Sequence, residues 1–165
     1  MSAQSKSRRE SWIDFDSEKE TLCLEYAVSK LKKKYAHRID TECAKRLPSN
    51  TGRKWWTQPL DHNDDWLLAQ LVIAPKEAIP LHDHPGSAGA HLVLSGDASH
   101  YQFTVLGLSQ GAWILQQEPL TKKRLSTGDV VSFSSVKGNA HSFVAGREGC
   151  TLLNISRRCS KPGYW

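Results

Sequence analysis

Apolar side chains recur at Leu24, Ala27 or Val28, Leu31 and Tyr35, a spacing that predicts a helix with one buried face. Ser17-Glu18-Lys19-Glu20 reads as a capping box that opens it. Lys32, Lys33 and Lys34 fall near its end, where positive charge suits the helix dipole. A second short helix is expected from Asp40 to Leu47, stopped by Pro48. Residues 1–16 read as an irregular arm, with Trp12, Ile13 and Phe15 available to pin it. Residues 49–65 read as a polar connector carrying Trp55 and Trp56.

Beyond residue 65 the pattern changes to short apolar runs between Gly-rich turns. Strands are expected at Trp66–Ala74, Leu81–His84, Ala90–Ser95, His100–Leu106, Ala112–Gln117, Lys122–Leu125, Val130–Ser134, Ala140–Ala145 and Cys150–Ser156. Such a series fits an antiparallel all-β barrel or sandwich, and the lysines at 122 and 123 mark an edge. The tail 157–165 is basic, then aromatic. The chain reads as one domain in two parts, an arm and helical extension over 1–58 and a barrel over 59–165. Its 165 residues suffice to bury a core, roughly 70% of the surface the unfolded chain exposes.

Charge adds one asymmetry. Residues 1–58 hold 13 Lys and Arg against 8 Asp and Glu, whereas residues 59–165 hold 9 of each. No nucleic-acid motif accompanies the basic excess, so it reads as a solvated helix face and a loose tail, not as a nucleic-acid surface. No apolar run approaches the length of a membrane span, and the polar start Ser2-Ala3-Gln4-Ser5-Lys6 does not read as a signal peptide. Cys23, Cys43, Cys150 and Cys159 lack Cys-x-x-Cys spacing and read as thiols of a reducing, cytoplasmic setting. The sequon Asn154-Ile155-Ser156 is discounted for the same reason.

The chemistry centres on Leu81-His82-Asp83-His84-Pro85-Gly86. On a strand, residues two apart share a face. His82 and His84 therefore project together, with Asp83 sent the other way, as a bidentate metal site that needs further ligands. Gly96 follows twelve residues after His84. A second glycine-bounded stretch, Gly128 to Gly138, leads to His141, with Phe143 on the same face of its strand.

These two motifs, His82-x-His84 closing at Gly96 and Gly128 to Gly138 closing at His141, resemble the cupin superfamily over roughly residues 66–156. The resemblance implies a jelly-roll barrel with one or two N-terminal helices and a metal held by His82, His84 and His141. Cupins commonly carry a glutamate at the position of Gly89, and no other acid lies between Asp83 and Asp97. Three histidines without a carboxylate look most like the thiol dioxygenases, which include the cysteine and cysteamine dioxygenases. That resemblance implies Fe(II), with Zn, Mn or Ni as alternative metals, and a reaction taking a small thiol and dioxygen to a sulfinate.

Further residues are placed by the same resemblance. If Gly89 faces the interior, so does His91, as a fourth ligand, a pocket acid or base, or a satisfied core histidine. His100 is expected near a turn and exposed, and Tyr101 and Phe103 in the core. The substrate pocket is expected at Gly89, Trp55 and Trp56. The arginine that holds a carboxylate in cysteine dioxygenases falls on Trp56, and the crosslinking cysteine position is Gly89. The Ser-x-His-x-Tyr series of those enzymes is absent from Leu152–Arg158, where Asn154 or Ser156 would supply a hydrogen bond instead. Another metal-dependent cupin enzyme (a lyase, an isomerase or a non-thiol oxygenase) and a non-catalytic cupin binding a metal or small molecule stay open. So does a homodimer formed through sheet edges.

Overall fold

The computed structural model describes residues 17–46, 54–84, 86–117, 122–135 and 138–158. The arm, Pro48, Pro119, Cys159 and the end of the tail lie outside them. Helix α1 spans Ser17–Lys34. A 3-10 turn follows at Ala36–Arg38 and another at Cys43–Arg46, so within the described residues the expected second helix is a single tight turn.

Among the described residues eight strands follow: β1 Trp55–His62, β2 Trp66–Ile73, β3 Ala78–Asp83, β4 Ser87–Ser109, β5 Ala112–Gln117, β6 Lys123–Ser126, β7 Val130–Phe133 and β8 Ala140–Arg158. All pairings are antiparallel. The sheet runs β1-β2-β8-β4-β5, with β3 also on β8 and β6 and β7 also on β4. This is the expected all-β jelly roll.

Two expectations about strands are corrected. The 49–65 connector contains β1, which pairs with β2 from Trp55 opposite Ile73 to His62 opposite Leu67, with one register shift between Pro59 and Asp61. The separate strands expected on either side of Gly96 are one bent strand, β4, as are the two expected on either side of Gly149 in β8. The bends have a local cause. Register shifts fall between Val93 and Ser95 and between Gly96 and Ala98. Gly96 has φ +76° and Gly149 has φ +78°, backbone that favours glycine. Each long strand thus serves two sets of partners, and the sheet closes on itself.

Alternation sorts the core into two layers. Leu71, Ile73, Val93, Val131, Phe143, Cys150 and Leu152 point into the barrel with Ile79, Ala98 and Leu125. Leu68, Ala88, Ala90, Leu92, Leu153 and Ile155 point outward and are covered by Leu24, Val28 and Tyr35, with Ala27 and Leu31 packed alongside. That is the helix face expected from the spacing. Ser132 reinforces the docking, donating from Oγ to Glu25 Oε1 at 2.6 Å. Beyond the helix, Tyr35 donates its hydroxyl to Asp61 and Arg38 donates to the Leu60 carbonyl, tying the first 3-10 turn to β1.

The candidate metal centre

Strand β3 lies beside the first half of β8, with His82 directly opposite His141 and Asp83 opposite Ala140. The backbone N–H of His84 continues the pairing, donating to the Asn139 carbonyl at 2.9 Å. Directly paired residues share a face, so His82, His84 and His141 converge inside the barrel mouth. One ring nitrogen from each lies within 4.8 Å of the others, and among the described residues no carboxylate belongs to the group. The three ring centroids are 4.8, 4.8 and 4.9 Å apart.

The nitrogens are presented for a metal. His82 Nδ1 is 2.8 Å from the Pro80 carbonyl, which can only accept, so Nδ1 donates there and Nε2 is the nitrogen left to face an ion. His84 Nε2 and His141 Nε2 are 3.2 Å apart. Two nitrogens bound to one ion at about 2.1 Å stand about 3.0 to 3.4 Å apart between right-angle and tetrahedral arrangements, so the observed separation suits a shared ion. Burial pushes the His84 imidazole down to about 4, with the nearby His82 adding to the effect. Burial also holds His141 well below its ordinary value. Both rings are therefore neutral donors at pH 7, as a metal requires. The donor set fits a divalent first-row ion of borderline softness.

The surroundings are aromatic. His84 stacks on Phe133 with centroids 4.7 Å apart and ring planes at 24°. His141 meets Phe133 edge-on at 5.1 Å and Phe143 at 5.2 Å. Gln102, opposite His141 on β4, donates from Nε2 to the carbonyls of Ser132 at 2.9 Å and Gly138 at 3.1 Å. It thereby fixes the approach to the strand that carries His141.

His91 faces inward, as the alternation from Gly89 implies. It is 3% exposed, with its ring 5.0 Å from those of His141 and Phe143. Neither of its ring nitrogens has a hydrogen-bond partner among the described residues, and burial holds it well below its ordinary value. Asn154 pairs with His91 across β4 and β8 and carries a buried, unpartnered Oδ1. Ser156 pairs with Gly89 on the same face.

His100 departs from expectation. It is 3% exposed, not solvated, and its ring lies 4.6 Å from Phe143 and 5.5 Å from His141. The shift between Val93 and Ser95 adds one residue to β4 against β8 and reverses the parity that alternation alone would extend, turning His100 inward. Tyr101 and Phe103 occupy the opposite face and are half-buried, not in the core. The tryptophans are not brought to the histidines. Trp56 packs against Cys43, Ala44 and Val72, and Trp55 is 43% exposed. Sequence reasoning missed Phe133 and Gln102, because nothing along the chain announces which strand crosses Gly89 or His141.

No protein-family model matches the chain. Among curated proteins, a probable 2-aminoethanethiol dioxygenase of Dictyostelium discoideum is 30% identical over 129 residues, covering 72% of this chain and 56% of that protein. The chain thus spans about half the length of that relative. Among solved structures, KdgF from Halomonas sp. superposes with a TM-score of 0.50 at 15% identity, covering 74% of this chain and 88% of that one. An uncharacterized conserved protein with a double-stranded β-helix domain from Klebsiella pneumoniae gives 0.51 at 19% identity, covering 76% and 93%. At these identities the structural likeness is one of fold. The chain is a cupin by fold, and it resembles the three-histidine thiol dioxygenases of that superfamily.

Proposed function

We propose that this protein is a non-haem Fe(II) thiol dioxygenase, which takes a small thiol and one dioxygen to the sulfinic acid with both oxygens on sulfur. The observation that carries the proposal is the carboxylate-free triad of His82, His84 and His141. When bound, Fe(II) supplies a soft-tolerant Lewis acid and the redox chemistry that dioxygen needs.

The chain's own residues do the rest. Three neutral imidazoles leave the full charge of a divalent ion uncompensated, which favours an anionic thiolate over a neutral ligand. Phe133 and Phe143 wall the histidines with aromatic surface and keep water from their inner side. His91 and Asn154 turn unpartnered polar atoms into the same interior. A neutral His91 can donate from one nitrogen and accept at the other, and Asn154 Oδ1 can accept. Together they would orient the polar end of a bound thiol, with Ser156 able to add a hydroxyl beside Gly89. The Dictyostelium relative is named for an aminothiol, which makes cysteamine the first substrate to try. Among the described residues no helix is long and apolar enough to cross a membrane.

The test is oxygen uptake by protein loaded anaerobically with Fe(II), over cysteine, cysteamine, 3-mercaptopropionate and a peptide with N-terminal cysteine, with His141→Ala as blank. Uptake matched by sulfinate on mass analysis, and absent in the blank, is the expected result. A protein that holds iron and consumes no oxygen with any thiol rejects the proposal.

A further inference from the structure

Phe133 stands over Gly89, beside His84 and His141. It is 2% exposed, ends β7, and pairs across the sheet with Gly89. A Cβ on Gly89 would lie 2.5 Å from Phe133 Cζ, 2.6 Å from its Cε1 and 2.8 Å from the Ile155 carbonyl oxygen. The ring therefore fills the ground that a side chain at position 89 would need. The same ring lies along the His84 imidazole, 4.7 Å away and 24° from parallel. Its edge contact with His141 is 5.1 Å.

Two consequences follow from close packing. Interiors of this density do not let one ring turn without moving its neighbour, so the plane of His84 is set by Phe133. Metal-binding histidines are ordinarily oriented by a hydrogen bond at the second nitrogen; here an aromatic face supports the ring. The space beside the ion is also apolar on that side, so no protein carboxylate reaches it from position 89.

We propose that Phe133 is a positioning residue that holds this centre at three ligands, closing the space over Gly89 to a fourth side chain and keeping His84 in its ligating plane. The inference rests on the metal reading of the three histidines and adds a cause for their number. It also assigns the negative charge at the ion to the substrate, since Phe133 occupies the place from which the protein could supply one.

The experiment is Co(II) binding, followed by visible absorption bands and by competition with a chromophoric chelator, on the full chain. Wild type should bind one Co(II) per chain and His141→Ala should lose it. Phe133→Leu keeps bulk but removes the stacked face, and should bind at least about ten-fold more weakly. Phe133→Glu places a carboxylate beside His84, and should bind at least about ten-fold more tightly with altered band positions and intensities. Wild-type affinity and bands in Phe133→Leu overturn the positioning role. A folded Phe133→Glu with wild-type affinity and bands overturns the claim on ligand number. If circular dichroism shows that Phe133→Glu does not fold, Phe133→His, an uncharged ligand nearer in size to the ring, takes its place under the same criterion. A wild type that binds no Co(II), or a His141→Ala variant that binds it equally well, overturns the metal reading and this inference with it.

Discussion

His84 Nε2 and His141 Nε2 approach to 3.2 Å across 57 residues of chain, with a buried wall of Phe133 beside both. Two neutral imidazoles have little reason to face each other lone pair to lone pair unless a cation or proton joins them. Metal should therefore stabilise the fold measurably. At a free metal concentration one hundred times Kd the gain is about 2.7 kcal/mol, which for a chain of this size raises Tm by about 5–10 °C. Thermal unfolding with and without Fe(II), Co(II) or Zn(II) checks this. His82→Ala, His84→Ala and His141→Ala should each abolish most of the rise.

The metal-free protein should be acid-sensitive well above the carboxylate range. His84 and His100 are each pushed down to about 4 by burial, with His82 adding to the effect at His84 and Lys123 at His100. His91 and His141 are lowered for the same leading reason. Between pH 6.5 and 4 the unfolded chain takes up protons that the folded chain refuses. Stability is then full above pH 6.5 and falls as pH drops towards 4, by up to about 1.4 kcal/mol per pH unit for each such histidine. Urea unfolding of chelator-stripped protein at pH 7.5 and pH 5 should differ by about 4 kcal/mol from His84 and His100 alone. Equal midpoints would mean that these rings are not buried as neutral groups.

Helix α1 covers the outer layer of the sheet, the face opposite the histidines. Val28 is fully buried there, while Tyr26, two residues before it on the other side of the helix, is 66% exposed. Val28→Ala should cost about 2 kcal/mol from lost burial and the cavity left behind. Tyr26→Ala should stay within about 0.5 kcal/mol of wild type. Neither should change metal affinity, because neither touches the inner layer. Chemical denaturation together with Co(II) titration separates the two effects, and a weakened metal site in Val28→Ala would show that the helix does more than cover the sheet.

The histidine triad was legible because two cues suffice for it: a His-x-His on one strand face and a third histidine closing a glycine-bounded hairpin. His91 followed from alternation started at Gly89, over a stretch of β4 without a register shift. His100 did not follow, because the shift after Val93 inserts one residue into β4, and no residue type encodes a bulge reliably. Strand β1 was hidden for a different reason. It pairs with β2 alone, and its exposed Trp55, Thr57, Gln58 and Pro59 break the alternation that marks a half-buried strand. Phe133 was visible as a strand residue, but its meeting with Gly89 depends on a pairing between segments 44 residues apart.

The glycine at the bend of β4 offers the sharpest test of how the fold aims the site. Gly96 has φ +76°, and a side chain there would run into the carbonyl of Gly149, a backbone atom that cannot turn aside. Gly111, in the β4–β5 turn, has φ +79° with open space around it. Gly111→Ala therefore carries backbone strain alone, about 1 kcal/mol. Gly96→Ala carries the same strain and also forces β4 away from β8 where both strands bend, so its cost should be about 3 kcal/mol or more. The displacement falls four residues before His100 and on the strand that pairs with His141. Gly96→Ala should thus lower Co(II) affinity as well as Tm, whereas Gly111→Ala should lower Tm slightly and leave the affinity unchanged. Equal stability losses in the two variants would mean that the close approach of Gly96 to Gly149 is not what fixes the bend.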